Sequence, residues 1–142
     1  MKQRGVTLIE LMTVVTVLAI LASIAIPSYR NYLLRAQRTD AKTALLQVQA
    51  AEEKFYLQAN AYTKNLTDAP PTGLGLSTTS SNGYYDIAVD FGTSGNLQTF
   101  VATATPITGK GQSDDTKCTG FTVDDTGKRG ASGPGGMDFC WH

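Results

Sequence analysis

The stretch RGVTLIELMTVV (residues 4–15) places an acidic residue, Glu10, at the start of an apolar run. From Val6 to Ile26 there are 21 residues, and Glu10 is the only charged one among them. A span of ~20 apolar residues matches the hydrocarbon core of a bilayer, and Lys2 and Arg4 in front of it favour a cytoplasmic N-terminus. Because a carboxylate in hydrocarbon costs roughly 3 kcal/mol or more on insertion scales, Glu10 requires an explanation of its own.

An ordinary secretory signal peptide is one alternative for this segment, which has a basic start, an apolar middle and small residues at Ser23 and Ala25. Two features argue against it. Glu10 lies where the apolar core should begin, and after Pro27 the sequence passes into a helical pattern. A plain membrane anchor explains the length of the segment but not Glu10. The cations beyond the run weaken an orientation based on charge alone; they are Arg30, Arg35 and Arg38.

Beyond Pro27 the apolar residues recur at spacings of three and four, which is typical of an amphipathic helix. They are Tyr29, Tyr32, Leu33, Ala36, Ala41, Ala44, Leu45, Val48, Ala51 with Glu52, and Phe55. The other positions are filled by Arg30, Arg35, Arg38, Asp40, Lys42 and Lys54. The pattern predicts one helix from about Val6 to about Gln58, roughly 80 Å long and kinked at Pro27. Its first half is apolar on all sides and its second half on one face only.

The rest of the chain predicts a loop followed by an antiparallel sheet. Residues 59–83 are rich in Pro, Gly, Ser, Thr and Asn, which indicates a long loop. Three strand candidates follow, YYDIAVDF (84–91), LQTFVATATP (97–106) and CTGFTVDD (118–125), with turns at 92–96 and 126–128 and a short final strand or tail. The first candidate places Tyr85, Ile87, Val89 and Phe91 on one face. We therefore expect an α+β fold in which the amphipathic helix half covers a sheet of three or four strands.

The N-terminal residues carry a family resemblance. Gly5, then Val6-Thr7-Leu8-Ile9-Glu10-Leu11, then the apolar run ending at Pro27, resembles the class III signal peptide of type IV pilins and pseudopilins. The resemblance implies that a prepilin peptidase cuts between Gly5 and Val6 and N-methylates Val6. It also implies that Glu10 pairs with the Val6 amine of a neighbouring subunit in a filament. The chain departs from the family at Val6, where Phe is usual, and at Ala19, where many members have a Gly that loosens the helix.

The resemblance also implies a domain layout and a cellular route. Residues 1–5 are the leader, residues 6–27 the transmembrane or filament-core half of the helix, and residues 28–142 the globular domain. Within that domain lie the amphipathic half of the helix (28–58), the loop (59–83) and the sheet with its C-terminal region (84–142). The prepilin is expected in the inner membrane with its globular domain in the periplasm, and later in the extracellular pilus. Its expected partners are other pilin subunits, the prepilin peptidase, the membrane and the inner-membrane assembly machinery.

The two cysteines, Cys118 and Cys140, form one disulfide if the domain is exported and two free thiols if it is cytosolic. The 21 residues between them include six glycines, so the segment is costly to order and a bridge is expected to stabilise the fold by roughly 3 kcal/mol. A C-terminal loop closed by a disulfide is what the resemblance to pilins implies. The adjacent pair Cys140-Trp141 resembles a group of short minor pilins.

Several kinds of chemistry are not supported by the sequence. A Ser-His or Cys-His pair would depend on the single histidine, His142, and the two cysteines lack zinc-ligand spacing. Asp114-Asp115 and Asp124-Asp125 lack calcium-loop spacing, so we interpret them as solvated acids and a hairpin turn. GPGG (133–136) is not a phosphate loop. We predict no enzymatic activity, no cofactor and no metal.

Three functions remain in competition. The first is a structural subunit of a type IV pilus, in particular a minor pilin, which supports motility, adhesion or DNA uptake. The second is a pilin that captures DNA or a surface through a patch formed by Lys110, Lys117, Lys128 and Arg129. From Phe55 onward, however, five basic and eight acidic residues give a net charge of about −3, which argues mildly against nucleic acid. The third is a pseudopilin of type II secretion; the cysteine pair favours a pilin, because major pseudopilins typically rely on bound calcium.

Overall fold

The computed structural model describes residues 5–92 and 95–142. The basic residues Lys2 and Arg4 of the predicted leader and the middle of the predicted turn at 92–96 lie outside the described residues. In chain order the elements are α1 (Leu8–Ala59), β1 (Tyr85–Phe91), β2 (Phe100–Pro106), a 3-10 helix (Gly111–Asp114), β3 (Gly120–Asp124), β4 (Arg129–Ser132) and α2 (Gly136–Trp141). The predicted α+β fold is confirmed, with one long N-terminal helix and a four-stranded sheet.

The chain divides into two compact units, Met1–Arg35 and Ala36–His142. The first contains the apolar half of α1, in which Pro27 is part of the helix. The second contains the remainder of α1, the sheet and α2.

The sheet of the second unit is an antiparallel meander in the order β1-β2-β3-β4. β1 alternates buried and exposed residues, with Tyr85, Ile87 and Val89 buried, as the period of two predicted. Its register with β2 pairs Tyr85 with Pro106 and Phe91 with Phe100. Because Phe91 is the last residue of β1, residues 97–99 have no partner on it. The prediction of a strand from Leu97 was therefore wrong by three residues, and these residues belong to the connection.

The hydrophobic core lies between the sheet and one face of α1. The helix contributes Ala41, Ala44, Leu45 and Val48, and the strands contribute chiefly Tyr85, Ile87, Val89, Phe100, Ala102, Ala104, Phe121 and Val123. Tyr85 and Phe121 meet edge to face with ring centres 5.8 Å apart, a favourable geometry for aromatic pairs. Among residues 5–92 and 95–142, every buried core residue lies in the second unit.

The loop between α1 and β1 has no helix or strand of its own but is held at several points. Asn60 begins it with a positive φ of 57°, a conformation that Asn tolerates at the end of a helix. Near its far end the buried Asp40 of α1 accepts hydrogen bonds from Ser80 Oγ at 2.5 Å and from the Asn82 side-chain amide at 3.0 Å. Thr79 then forms an isolated antiparallel bridge with Asp86, so the loop lies along the outer edge of β1.

Candidate functional site

The first unit exposes an apolar surface that a single chain does not cover. Thirteen large apolar residues between Val6 and Ile26 are 52–79% exposed. Within α1, an 18-residue window has a mean hydropathy of 2.4 and no buried residue, so the helix is long and apolar enough to cross a membrane. Contiguous apolar patches of this kind mark membrane or protein interaction sites.

The predicted processing residues lie at the start of this surface. Gly5 and Val6 are exposed and precede the helix, which begins at Leu8. Glu10 lies in the first turn of α1 with its side chain exposed, and its N–H donates to Thr7 Oγ1 at 3.3 Å. This is the geometry of a helix N-cap. The roles assigned to Gly5, Val6, Glu10 and Pro27 remain predictions.

The second candidate region is the C-terminal segment closed by a disulfide. Cys118 and Cys140 are bonded, with their Cα atoms 5.8 Å apart, and both are fully buried. Gly133 has a φ of +106°, and a Cβ there would lie 2.5 Å from the Lys117 carbonyl oxygen. A side chain at this position would therefore clash with backbone. Helix α2, which the sequence analysis did not predict, follows within the same segment.

A buried ion pair joins this segment to α1. Arg38 donates to both carboxylate oxygens of Asp115, at 2.6 and 3.0 Å. Asp115 also accepts from Gln112 Nε2 at 2.9 Å and from the N–H groups of Lys117 and Cys118 at 3.1 and 3.2 Å. Burial by itself raises the pKa of Asp115, but the bonds from Arg38, Cys118 and Lys117 hold it below its usual value.

This pair corrects two interpretations of the sequence. Asp115 was expected to be a solvated acid, and Arg38 and Asp40 were placed outside the apolar stripe; all three are buried. The spacing of residues along α1 could have indicated which charged side chains are buried. Arg38 precedes Ala41 by three residues, and Glu52 follows Val48 by four, so both share the buried face. Asp124 and Asp125 do lie at the predicted hairpin turn, where Asp124 accepts from the Thr126 and Lys128 N–H groups.

Cations and aromatic rings meet around α2. Lys117 Nζ lies 5.0 Å from the centre of the Phe139 ring, and Arg129 Cζ lies 5.1 Å from that of Trp141. Lys42 of α1, which the sequence analysis did not select, donates to the Trp141 carbonyl oxygen at 2.8 Å. Burial lowers the pKa of Lys42, and the charges of Arg38 and Arg129 lower it further. We call Lys42, Lys117, Arg129, Phe139 and Trp141 the cationic α2 face.

The structure thus connects two of the four predicted patch residues, Lys117 and Arg129, to α2. Lys110 precedes the 3-10 helix, and Lys128 lies in the turn between β3 and β4. Residues 5–92 and 95–142 contain no group of three His, Cys, Asp or Glu side chains that could hold a metal ion.

Comparisons with known proteins agree with this architecture. A model of the prokaryotic N-terminal methylation motif matches residues 1–26. A model described as type IV minor pilin ComP, DNA uptake sequence receptor, matches residues 27–122. The chain is 39% identical over 103 residues to the type IV major fimbrial protein FimA of Dichelobacter nodosus, covering 63% of this chain and 62% of FimA. It is 50% identical over 57 residues to prepilin peptidase-dependent protein D of Escherichia coli (strain K12), covering 40% of this chain and 39% of that protein.

The chain therefore spans less than two thirds of the length of either relative. Among solved structures, the Neisseria meningitidis non-core minor pilin PilV has the same fold, with a TM-score of 0.51 and 20% identity over 72% of this chain and 89% of that one. The ComP model covers well over half of the sequence, and the motif match includes Gly5, Val6 and Glu10. The chain belongs to the family of the type IV minor pilin ComP and carries the N-terminal methylation motif.

Proposed function

We propose that this protein is a structural subunit of a type IV pilus, a minor pilin, with no enzymatic activity. The observation that carries the proposal is the exposed apolar surface from Val6 to Ile26, in a chain whose second unit has a complete core of its own. Such a surface needs a bilayer before assembly and other subunits after it. The partners that the proposal requires are therefore other pilin subunits.

The proposed route begins with a prepilin in the inner membrane, its globular domain in the periplasm. Prepilin peptidase cuts between Gly5 and Val6 and methylates the new amine. This bond lies before the helix and is exposed, so it is accessible to a peptidase. Inner-membrane assembly machinery then extracts the subunit into the filament.

In the filament Glu10 acts as a register device. A carboxylate buried among apolar helices is costly unless a cation pairs with it. The amine that cleavage creates at Val6 of a neighbouring subunit is such a cation. A subunit out of register leaves Glu10 unpaired, so correct insertion is favoured.

Mass spectrometry of the cellular protein tests the processing step, with a mature N-terminus at methylated Val6 as the expected result. A start at Ile26 would show ordinary signal cleavage and overturn the proposal. For assembly, we expect Glu10→Ala to be processed normally but depleted from sheared filaments, whereas Glu10→Asp, which keeps the charge, is retained. Wild-type incorporation of Glu10→Ala would contradict the register role.

We infer DNA binding by the cationic α2 face as a second candidate function. Two observations favour it: three cations meet two aromatic rings there, and the matching family model is described as a DNA uptake sequence receptor. Phosphates are attracted by Lys and Arg, and bases stack on exposed aromatic rings. From Phe55 onward acidic residues outnumber basic ones, so the attraction for DNA is limited to the cationic α2 face.

Binding of labelled DNA to the full chain in micelles, measured at increasing salt, tests this function. Lys117→Gln with Arg129→Gln is expected to reduce affinity by roughly tenfold or more at low salt and to flatten the salt dependence. Lys64→Gln is the matched control, because Lys64 is paired with Asp90 and lies outside the face. Equal losses in both variants, or no binding by the wild type at low salt, would reject it.

A further inference from the structure

Glu52 of α1 is a buried carboxyl group that neither proposed function uses. Its side chain is fully buried. One oxygen, Oε2, accepts the Thr63 N–H at 3.1 Å, and the other, Oε1, has no hydrogen-bond partner among the described residues. A buried charged oxygen without a partner is strongly disfavoured relative to water.

The partner of Glu52 belongs to a short segment that closes over it. We call residues 60–66 the Tyr62 segment. Tyr62 is buried, its ring centre lies 4.8 Å from that of Phe100, and its N–H donates to the Leu97 carbonyl oxygen at 2.8 Å. The next residue, Thr63, supplies the N–H to Glu52. The hydrogen bond to Glu52 is therefore one of the ties between the segment and α1.

Other ionisable groups around this site are engaged elsewhere or disfavour charge on Glu52. Glu53, on the same helix, adds negative charge and accepts a hydrogen bond from Tyr62 Oη at 3.1 Å. The negative charge of Asp125, which follows β3, raises the pKa of the neighbouring Tyr62. Lys64, the cation of the Tyr62 segment, is paired with Asp90 at 2.6 Å.

These surroundings favour the neutral carboxyl. Burial is the main cause that raises the pKa of Glu52 to about 7, the Thr63 N–H opposes the rise, and Glu53 adds to it. Near neutral pH the carboxyl group of Glu52 is therefore partly ionised, although its side chain is fully buried. A carboxyl that ionises more readily in water than in its site links deprotonation to opening.

We propose that Glu52 is a proton-controlled latch: its neutral form keeps the Tyr62 segment closed on α1, and its ionisation favours a local opening at Thr63 that admits water. Ionisation strengthens the single hydrogen bond from the Thr63 N–H, but water solvates the charge better than the closed site with its unpartnered Oε1 does. The segment begins the exposed loop between α1 and β1, so the latch changes the surface of the subunit with pH. This regulation is independent of filament assembly and of DNA binding, and its test needs neither.

Hydrogen exchange of the full chain in detergent micelles, corrected for the intrinsic rate, tests the latch at about pH 5.5 and about pH 8.5. Protection of the Tyr62 segment is expected to fall by roughly tenfold to thirtyfold between these values, if the opened group regains its ordinary acidity. Glu52→Gln, which cannot ionise, is expected to remove this pH dependence. Glu53→Gln keeps an acceptor for Tyr62 Oη and leaves Glu52 ionisable, so it is expected to keep the pH dependence with a lower midpoint, because it removes a charge that raises the pKa of Glu52.

Equal protection of the wild type at both values, or the same response in Glu52→Gln, would overturn the proposal. If Glu52→Gln does not fold, the wild type with carbon-13 in its Glu carboxyl groups gives a direct reading by NMR. The expected midpoint for Glu52 is near neutral pH, with the Thr63 amide shift following it. A midpoint in the ordinary range for Glu, or an amide shift that does not follow the carboxyl, would overturn the latch equally.

Discussion

Two charged residues of α1, Arg38 and Glu52, lie in the buried face of the helix, but their surroundings differ. Arg38 donates two hydrogen bonds to Asp115, whose carboxylate accepts three more from Gln112, Lys117 and Cys118, and the charges are thereby compensated. Glu52 accepts one hydrogen bond, from the Thr63 N–H, and its other oxygen has no partner among the described residues. Burial raises the pKa of both carboxyl groups, but the hydrogen bonds around Asp115 hold its pKa below the usual value, whereas that of Glu52 is raised to about 7.

Removal of Arg38 is expected to destabilise the fold strongly. Arg38→Met leaves Asp115 buried without its cation, and breaking a buried pair costs about 3–5 kcal/mol. Lys64→Met removes one partner of the exposed pair with Asp90 and should cost less than about 1 kcal/mol. Urea denaturation of both variants measures the difference. Similar losses of unfolding free energy would show that the Arg38 pair is solvated.

The free energy of unfolding is expected to fall with rising pH because of Glu52. Its pKa of about 7 in the fold lies above its ordinary value of 4.5, so its contribution to the free energy of unfolding is fully present at low pH and is lost as pH rises through about 7. Between about pH 5 and pH 8.5 we expect the wild type to lose about 2–3 kcal/mol relative to Glu52→Gln. Denaturation of both proteins across this range checks it, and a constant difference would contradict the raised pKa.

At the scale of elements, the periodic ones were predictable and the short ones were not. The spacing of three and four predicted α1 to within about two residues of Leu8–Ala59, and the alternation predicted β1. Helix α2 has six residues, too few to show a period and far fewer than an isolated helix needs. Its position depends on contacts from distant parts of the chain, such as the Lys42 Nζ bond to the Trp141 carbonyl oxygen.

The disulfide is accordingly expected to be what keeps α2 formed. Replacing Cys118 and Cys140 by Ser removes a bridge that closes a separation of 22 residues, at a cost of about 3 kcal/mol. Hydrogen exchange should show α2 unprotected in this variant while the β1–β2 pair stays protected. Retained protection of α2 would mean that Trp141 and Phe139 suffice to hold it.

At the scale of the whole molecule, the candidate sites divide between the two units. The apolar surface and Glu10 belong to Met1–Arg35, and the core, the disulfide and the cationic α2 face belong to Ala36–His142. The N-terminal motif was readable from the sequence because its spacing is local. Only part of the cationic α2 face was predicted. Lys42 was missed because it contacts Trp141 across 99 positions of the chain, and no local sequence pattern indicates such a contact.

A chain that begins at Ala36 is expected to fold, because every buried core residue follows it. Its thermal transition should be cooperative and independent of detergent. A chain that begins at Gln47 is the matched control, since it loses Arg38, Asp40, Ala41, Ala44 and Leu45, and we expect it to remain unfolded. A non-cooperative transition for the first chain would show that residues before Ala36 contribute to the core.

The bridge between Thr79 and Asp86 has a consequence for solubility. An open strand edge is a template on which a strand of another chain can pair, and amyloid forms in this way. Here the Thr78 carbonyl oxygen accepts the Ile87 N–H at 2.7 Å, and the Ser80 N–H donates to the Tyr85 carbonyl oxygen at 2.9 Å. The loop thereby occupies backbone groups on the outer edge of β1, and at the opposite edge β4 is four residues long. Pairing of two such molecules through the edges of their sheets is thereby disfavoured.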